Sequence, residues 1–142
     1  MKERIIISSG YFDPLHAGHI EHFSLSKQLG DKLIIILNND QQAILKKGRS
    51  FMPQDQRKII IENLKMVDEV FISIDTDLSV CKSLQCLAEK YKDAEIIFPK
   101  GGDRTYSEIP ERKICDKMGI KVIDHVGTSY PDVHSSVFTG IK

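Results

Sequence analysis

The chain is short of cysteine and has no excess of charge of either sign, and both shortages narrow its function. Its three cysteines, Cys81, Cys86 and Cys115, form no C-x-x-C pair and are odd in number. Neither a disulfide framework nor a cysteine-based zinc site is indicated. Small buried thiols in a reducing compartment are the simpler reading, so a cytoplasmic location is expected. Lys plus Arg number 20 and Asp plus Glu number 20, so the formal net charge is zero. Gripping a nucleic-acid backbone needs a large basic excess, and no nucleic-acid partner is expected. Long apolar runs are missing too. Ile5-Ile6-Ile7 is too brief for a membrane span or a signal-peptide core, so no membrane partner is expected. What remains is a chain of 142 residues, 41% hydrophobic and 28% charged, which is a globular composition. One domain over residues 1–142 is expected, with roughly 68% of its unfolded surface available for burial.

Short β-branched runs recur along the chain. They lie at 4–9, 32–37, 69–72, 95–98 and 120–123, and each reads as a strand buried on both faces. Stretches of helical period separate them at 19–29, 54–64, 78–91 and 109–118, with Pro53 before one helix and Gly30 and Gly119 closing two others. Alternation of strand and helix predicts an α/β fold, a Rossmann-like open parallel five-stranded sheet with helices on both faces. Such a sheet binds ligands at the carboxyl ends of its strands. The loops to read therefore begin at Gly10, Asn38, Ser73, Pro99 and Asp124. Lys46-Lys47-Gly48-Arg49-Ser50 is the one segment that reads as mobile.

The first of these loops carries the densest chemistry: Gly10-Tyr11-Phe12-Asp13-Pro14-Leu15-His16-Ala17-Gly18-His19. His16 and His19 are three apart at the start of a helix, so both rings can face the point where backbone N–H groups and the helix dipole favour an anion. Gly18 lets a phosphate approach the backbone. Neither G-x-G-x-x-G nor G-x-x-x-x-G-K-[ST] is present, which excludes the dinucleotide fingerprint and the Walker loop. His16, His19 and His22 could also be read as metal ligands. Six residues at about 100° each turn His22 well off the His16 direction, which disfavours that reading.

The His-x-Gly-His segment resembles the signature of the nucleotidylyltransferase superfamily. The match is to its small cytidylyltransferase-like branch, which includes glycerol-3-phosphate cytidylyltransferases and heptose-1-phosphate adenylyltransferases. Asn38-Asn39-Asp40, Lys46-Lys47, Arg57, Val67-Asp68-Glu69-Val70 and Lys100-Gly101-Gly102-Asp103 follow in the family's order, the last closest to the heptose-1-phosphate enzymes. The family's closing motif, commonly Arg-x-x-x-Ile-Ser-Thr-Thr, corresponds here to 127–137. Ser135-Ser136 stand for the Ser-Thr pair, and the arginine has no counterpart, for which Arg104 is the candidate replacement.

The resemblance implies attack by a phosphate monoester on the α-phosphorus of a nucleoside triphosphate, with release of pyrophosphate. It implies catalytic roles for His16, His19, Lys46 and Arg57. Nucleotide contacts are implied for Gly10, Tyr11, Phe12, Gly18, Lys47, Lys100, Gly101, Gly102, Asp103, Arg104, Ser135 and Ser136, and acceptor contacts for Asn39 and Asp40. Mg2+ is the expected cofactor, with Asp13 as its protein ligand, because magnesium keeps most of its waters and takes few carboxylates. The expected partners are a nucleoside triphosphate and a small phosphorylated sugar or polyol, and a second copy of the chain in a homodimer. CMP is the leading group for transfer. Adenylyl transfer to heptose 1-phosphate, another phosphorylated acceptor such as pantetheine phosphate or a flavin nucleotide, and a nucleotide-binding module without catalysis are the alternatives.

Overall fold

The computed structural model describes residues 2–100, 109–124 and 126. Its apolar runs become five strands: β1 (Arg4–Gly10), β2 (Lys32–Leu37), β3 (Glu69–Ile72), β4 (Glu95–Pro99) and β5 (Lys121–Ile123). All pair in parallel in the order β3-β2-β1-β4-β5, with Ile6 opposite both Leu33 and Ile97 in the central ladders. Among the described residues five helices accompany them: α1 (Ala17–Gln28), α2 (Asp40–Lys47), α3 (Gln54–Glu62), α4 (Cys81–Lys90) and α5 (Arg112–Met118). The Rossmann-like α/β expectation therefore holds.

Strand alternation divides the core in two. Ile5, Ile7, Ile34, Ile36, Ile96 and Phe98 face Leu84 and Leu87 of α4 and Cys115 of α5. Ile6, Leu33, Ile35, Leu37 and Ile97 face the other way, against Phe23 of α1 and Ile61 of α3. A strand covered on both sides has no solvent face to fill with polar residues, which is why the runs are continuous rather than alternating. Burying each of these side chains contributes roughly 1.5 to 3 kcal/mol.

The chain departs from the sequence reading after β2. Residues 40–47 form α2 where a loop was expected, and only Gly48 onward is irregular. Asn39 and Gln42 make a reciprocal capping box: the Asn39 side chain accepts from the Gln42 N–H at 2.9 Å, and the Gln42 side chain accepts from the Asn39 N–H at 3.0 Å. Gly48, with φ 86°, ends the helix in the left-handed conformation that other residues adopt at a cost. Two helices start later than expected, α4 at Cys81 and α5 at Arg112. The residues before α4 form a braced loop instead: buried Asp75 accepts from the Lys82 N–H at 2.7 Å and the Ser83 hydroxyl at 2.6 Å. Among the described residues no helix is long and apolar enough to cross a membrane.

Topology places the functional edge. From β1 the chain passes through α1 to β2 on one side, while β4 and β5 lie on the other. The order reverses between β1 and β4, the switch point beside which open parallel sheets bind their ligands.

Candidate active site

The histidine pair is built into the start of α1. His16 is the N-cap, with φ −144° and ψ 177°, and its Nδ1 accepts from the Gly18 N–H at 3.1 Å. The Nδ1 of His19 accepts from the His16 N–H, also at 3.1 Å. Two histidines thus do what Ser and Glu do in an ordinary capping box. The consequence is chemical: a ring nitrogen that accepts carries no proton, so in each ring the proton sits on Nε2. The rings stack with centroids 3.7 Å apart and 22° between planes. Burial, then the neighbouring His16, His22 and Lys47, lower the His19 pKa to about 3. His19 is a neutral donor throughout the physiological range.

Phe12 supports the pair from below. Its ring meets His19 edge-on at 4.8 Å and Phe23 at 4.9 Å. Its φ of 50° is unusual for a bulky residue, and the ring folds back over the end of β1. A Cβ on Gly10 would sit 2.7 Å from its Cζ, so a larger residue there would push the ring aside. The two lysines at the end of α2 come together above the same strand. Lys46 Nζ lies 4.6 Å and Lys47 Nζ 5.4 Å from the centre of the Tyr11 ring. Lys100 closes β4, its backbone N–H donating to the Ile123 carbonyl at 2.8 Å and its Nζ 5.0 Å over the Phe98 ring.

Four other expected site residues are turned inward. Arg57, 1% exposed, makes four hydrogen bonds at 2.8 Å: Nε donates to the Met52 carbonyl, one terminal nitrogen to the carbonyls of Tyr11 and Asn38, and the other to Asp40 Oδ1. It ties the loops after β1 and β2 to the head of α3, so its guanidinium is occupied within the fold. Asp13, also 1% exposed, accepts from the Phe51 N–H at 2.8 Å and the Met52 N–H at 2.6 Å with its two oxygens. Asn39 spends its amide on the carbonyls of Ser73 and Asp75, both at 3.0 Å, and its oxygen on α2. Asp40 Oδ1 caps α3 through the Gln54 N–H at 2.9 Å, yet its side chain stays 36% exposed. Desolvation pushes its carboxyl up, but the Gln54 N–H and the Arg57 guanidinium outweigh this and hold its pKa below the ordinary value.

A magnesium ligand at Asp13 does not fit this arrangement, because both oxygens already serve backbone donors. Among the described residues no three His, Cys, Asp or Glu side chains group so as to hold a metal ion. His22 is no ligand either. Its Nδ1 donates to the Val126 carbonyl and its Nε2 accepts from the Ser8 hydroxyl, both at 2.7 Å, and burial lowers its pKa. It joins α1, β1 and the exit of β5. Sequence reading missed this tie, and also Gln42, which is fully buried and donates to the carbonyls of Asp77 and Ser79. The spacing Asn39-x-x-Gln42 was the available signal. Gly101, Gly102, Asp103, Arg104, Ser135 and Ser136 lie outside the described residues.

Comparison with known proteins accords with this geometry. The family model described as cytidylyltransferase-like matches residues 7–136. The chain is 31% identical over 115 residues to an FAD synthase of Picrophilus torridus, covering 81% of this chain and 77% of that one. It is 30% identical over 128 residues to the bifunctional protein HldE of Alcanivorax borkumensis, covering 87% of this chain and about a quarter (25%) of that longer protein. Its fold is similar to that of a lipopolysaccharide core biosynthesis protein from Thermoplasma volcanium, with a TM-score of 0.68 and 23% identity over 87% of this chain and 96% of the other. The chain is a nucleotidyltransferase of the cytidylyltransferase-like family, built on a parallel α/β sheet whose histidine-capped helix opens at the carboxyl edge.

Proposed function

We propose that this protein transfers a nucleoside monophosphate from a nucleoside triphosphate to a small phosphorylated acceptor, and that His16 and His19 are its transition-state donors. The observation that carries this reading is the pair of neutral, stacked rings, each with its proton on Nε2, at the N-terminus of α1. An oxygen of the acceptor phosphate attacks the α-phosphorus, the α–β bridging P–O bond breaks, and pyrophosphate leaves with the electron pair. The acceptor, with a second pKa of about 6, is largely ionised at neutral pH, so no general base is needed. What the site supplies is in-line positioning and stabilisation of charge that moves onto the phosphate oxygens. Lys46 and Lys47, converging over Tyr11, add positive charge from α2. Arg57 and Asp13 hold the loops that carry these groups. Magnesium enters bound to the triphosphate rather than on a described carboxylate, and no step here runs through it.

Two acceptor classes are in view. Phosphorylated sugars and polyols follow from Lys100-Gly101-Gly102-Asp103, which resembles the heptose-1-phosphate enzymes. A flavin nucleotide is favoured by the FAD synthase relative, and the same relative supports adenylyl transfer over the cytidylyl transfer that the family resemblance put first. The polar edge at Asn38 and Asn39 does not count against an apolar acceptor, since both side chains point into the fold, while Ile74 and Leu78 after β3 are about half exposed. A homodimer belongs to this reading on the strength of the family resemblance, and mass in solution checks it. The decisive assay is pyrophosphate release with each of four nucleoside triphosphates against sugar 1-phosphates, polyol phosphates and flavin mononucleotide. Nucleotide binding without release for any pair would overturn the enzymatic reading.

A further inference from the structure

Lys46 and Lys47 are neighbours in the last turn of α2, and side chains one residue apart on a helix leave it about 100° apart. Both ammonium groups nevertheless come to one ring. Lys46 Nζ lies 4.6 Å and Lys47 Nζ 5.4 Å from the centre of Tyr11, within the roughly 6 Å at which a cation is drawn to the face of an aromatic ring. Two like charges drawn to one ring repel each other, so their meeting needs an attraction that helix geometry does not supply. The ring can serve as the anchor because it is itself fixed. A terminal nitrogen of buried Arg57 donates to the Tyr11 carbonyl at 2.8 Å, and the Tyr11 hydroxyl is shut off from solvent. One residue on, the Phe12 ring meets His19 edge-on at 4.8 Å, so the end of β1 carries both the ring under the lysines and the ring that supports the histidine pair. The charge of Lys47 reaches His19, where it adds to the lowering of the pKa.

We infer that Tyr11 is a positioning residue of the transfer reaction, its ring holding Lys46 and Lys47 together near the histidine pair before any triphosphate binds. The inference rests on the place given to these lysines in the reaction proposed above. A long side chain loses rotamer freedom when a ligand fixes it, and a contact already made in the free chain has met part of that loss beforehand. The hold is weak enough to be given up. A phosphate carries full charge and competes for an ammonium group more strongly than a ring face does. Tyr11 thus acts through the lysines and touches no substrate.

Tyr11→Leu removes the ring and Tyr11→Phe keeps it. In the transfer assay the triphosphate KM of Tyr11→Leu is expected to rise about three- to tenfold, the worth of one or two exposed cation–π contacts, with the acceptor KM unmoved. Tyr11→Phe is expected to stay within about twofold of wild type. The Tyr11→Leu effect should vanish in a chain that already carries Lys46→Gln and Lys47→Gln, because a residue acting through the lysines then has nothing to hold. In nuclear magnetic resonance of the ligand-free chain, the ring is expected to shift the Cε protons of both lysines upfield of an ordinary lysine, in wild type and in Tyr11→Phe. Ordinary lysine shifts in the wild-type chain would overturn the inference whether or not Tyr11→Leu folds. So would a Tyr11→Phe variant that behaves as Tyr11→Leu does, an unmoved triphosphate KM in a folded Tyr11→Leu, or an undiminished effect in the chain without the two lysines. Absence of transfer by the wild-type chain with every pair overturns the reaction itself and this role with it. Transfer with ordinary lysine shifts overturns the Tyr11 assignment alone.

Discussion

The segments after β1 and after β2 carry similar numbers of polar residues, but they use them in opposite ways. After β1, His16 and His19 each satisfy a backbone N–H with Nδ1, which puts the ring proton on Nε2. After β2, Asn38, Asn39 and Gln42 are spent within the fold, and Arg57 reaches in from α3 to join them. A residue type that suits phosphate, such as arginine, suits backbone carbonyls equally well, and burial decides between the two. On the proposed function the β1 segment carries the chemistry, and Asn38, Asn39, Gln42 and Arg57 frame it, while Lys46 and Lys47 of α2 lend it charge.

The comparison breaks most visibly at Arg57. Arg57→Met removes a buried charge and strands the carbonyls of Tyr11, Asn38 and Met52, so a loss of about 3 to 5 kcal/mol is expected in urea unfolding. A variant of wild-type stability that had lost only turnover would return Arg57 to the triphosphate. Next comes His16→Asn. Asparagine caps helices as well as any residue, so α1 should keep its stability while transfer falls by about 10²- to 10³-fold. Full turnover in that variant would reduce the histidine to a cap.

Asp13→Asn is a smaller change. An amide nitrogen facing a backbone N–H leaves that donor unpaired, with an expected cost of about 1 to 3 kcal/mol. The magnesium concentration that half-saturates transfer should stay at the wild-type value, and a marked increase would mean that the carboxylate holds the ion. The pH profile should change least. With its pKa held at about 3, His19 contributes no step to the transfer rate between pH 5 and 8, where the acceptor phosphate titrates near 6. Its lowered pKa stabilises the fold fully above the unfolded value of 6.5, and that contribution drains away as pH falls toward about 3. His22 acts in the same direction. A ring titration of His19 centred near 6.5, followed by nuclear magnetic resonance, would contradict its burial.

Strand positions were legible because both faces of this sheet are covered, and continuous isoleucine and leucine runs as short as these have few other uses in a chain of globular composition. α2 escaped because its sequence, Asp40–Lys47, is polar and short, and its evidence was a cap, Asn39-x-x-Gln42, rather than an apolar period. The β3–α4 loop escaped for a related reason. Asp75, Ser73 and Ser83 form a buried hydrogen-bonded knot whose members look like ordinary surface residues until the chain brings them together.

Spacing alone was sufficient to place His16 and His19 on one turn at a helix start beyond a buried strand, since helix geometry is local and the phosphate-binding end of a parallel sheet follows from chain direction. Which nitrogen of each ring keeps its proton, and that Asp13, Asn39, Asp40 and Arg57 bond within the fold, emerged only in three dimensions. Those outcomes depend on hydrogen bonds between residues up to 46 positions apart, as between Arg57 and the Tyr11 carbonyl. A polar side chain is committed by its nearest partner in space, and a linear sequence does not name that partner.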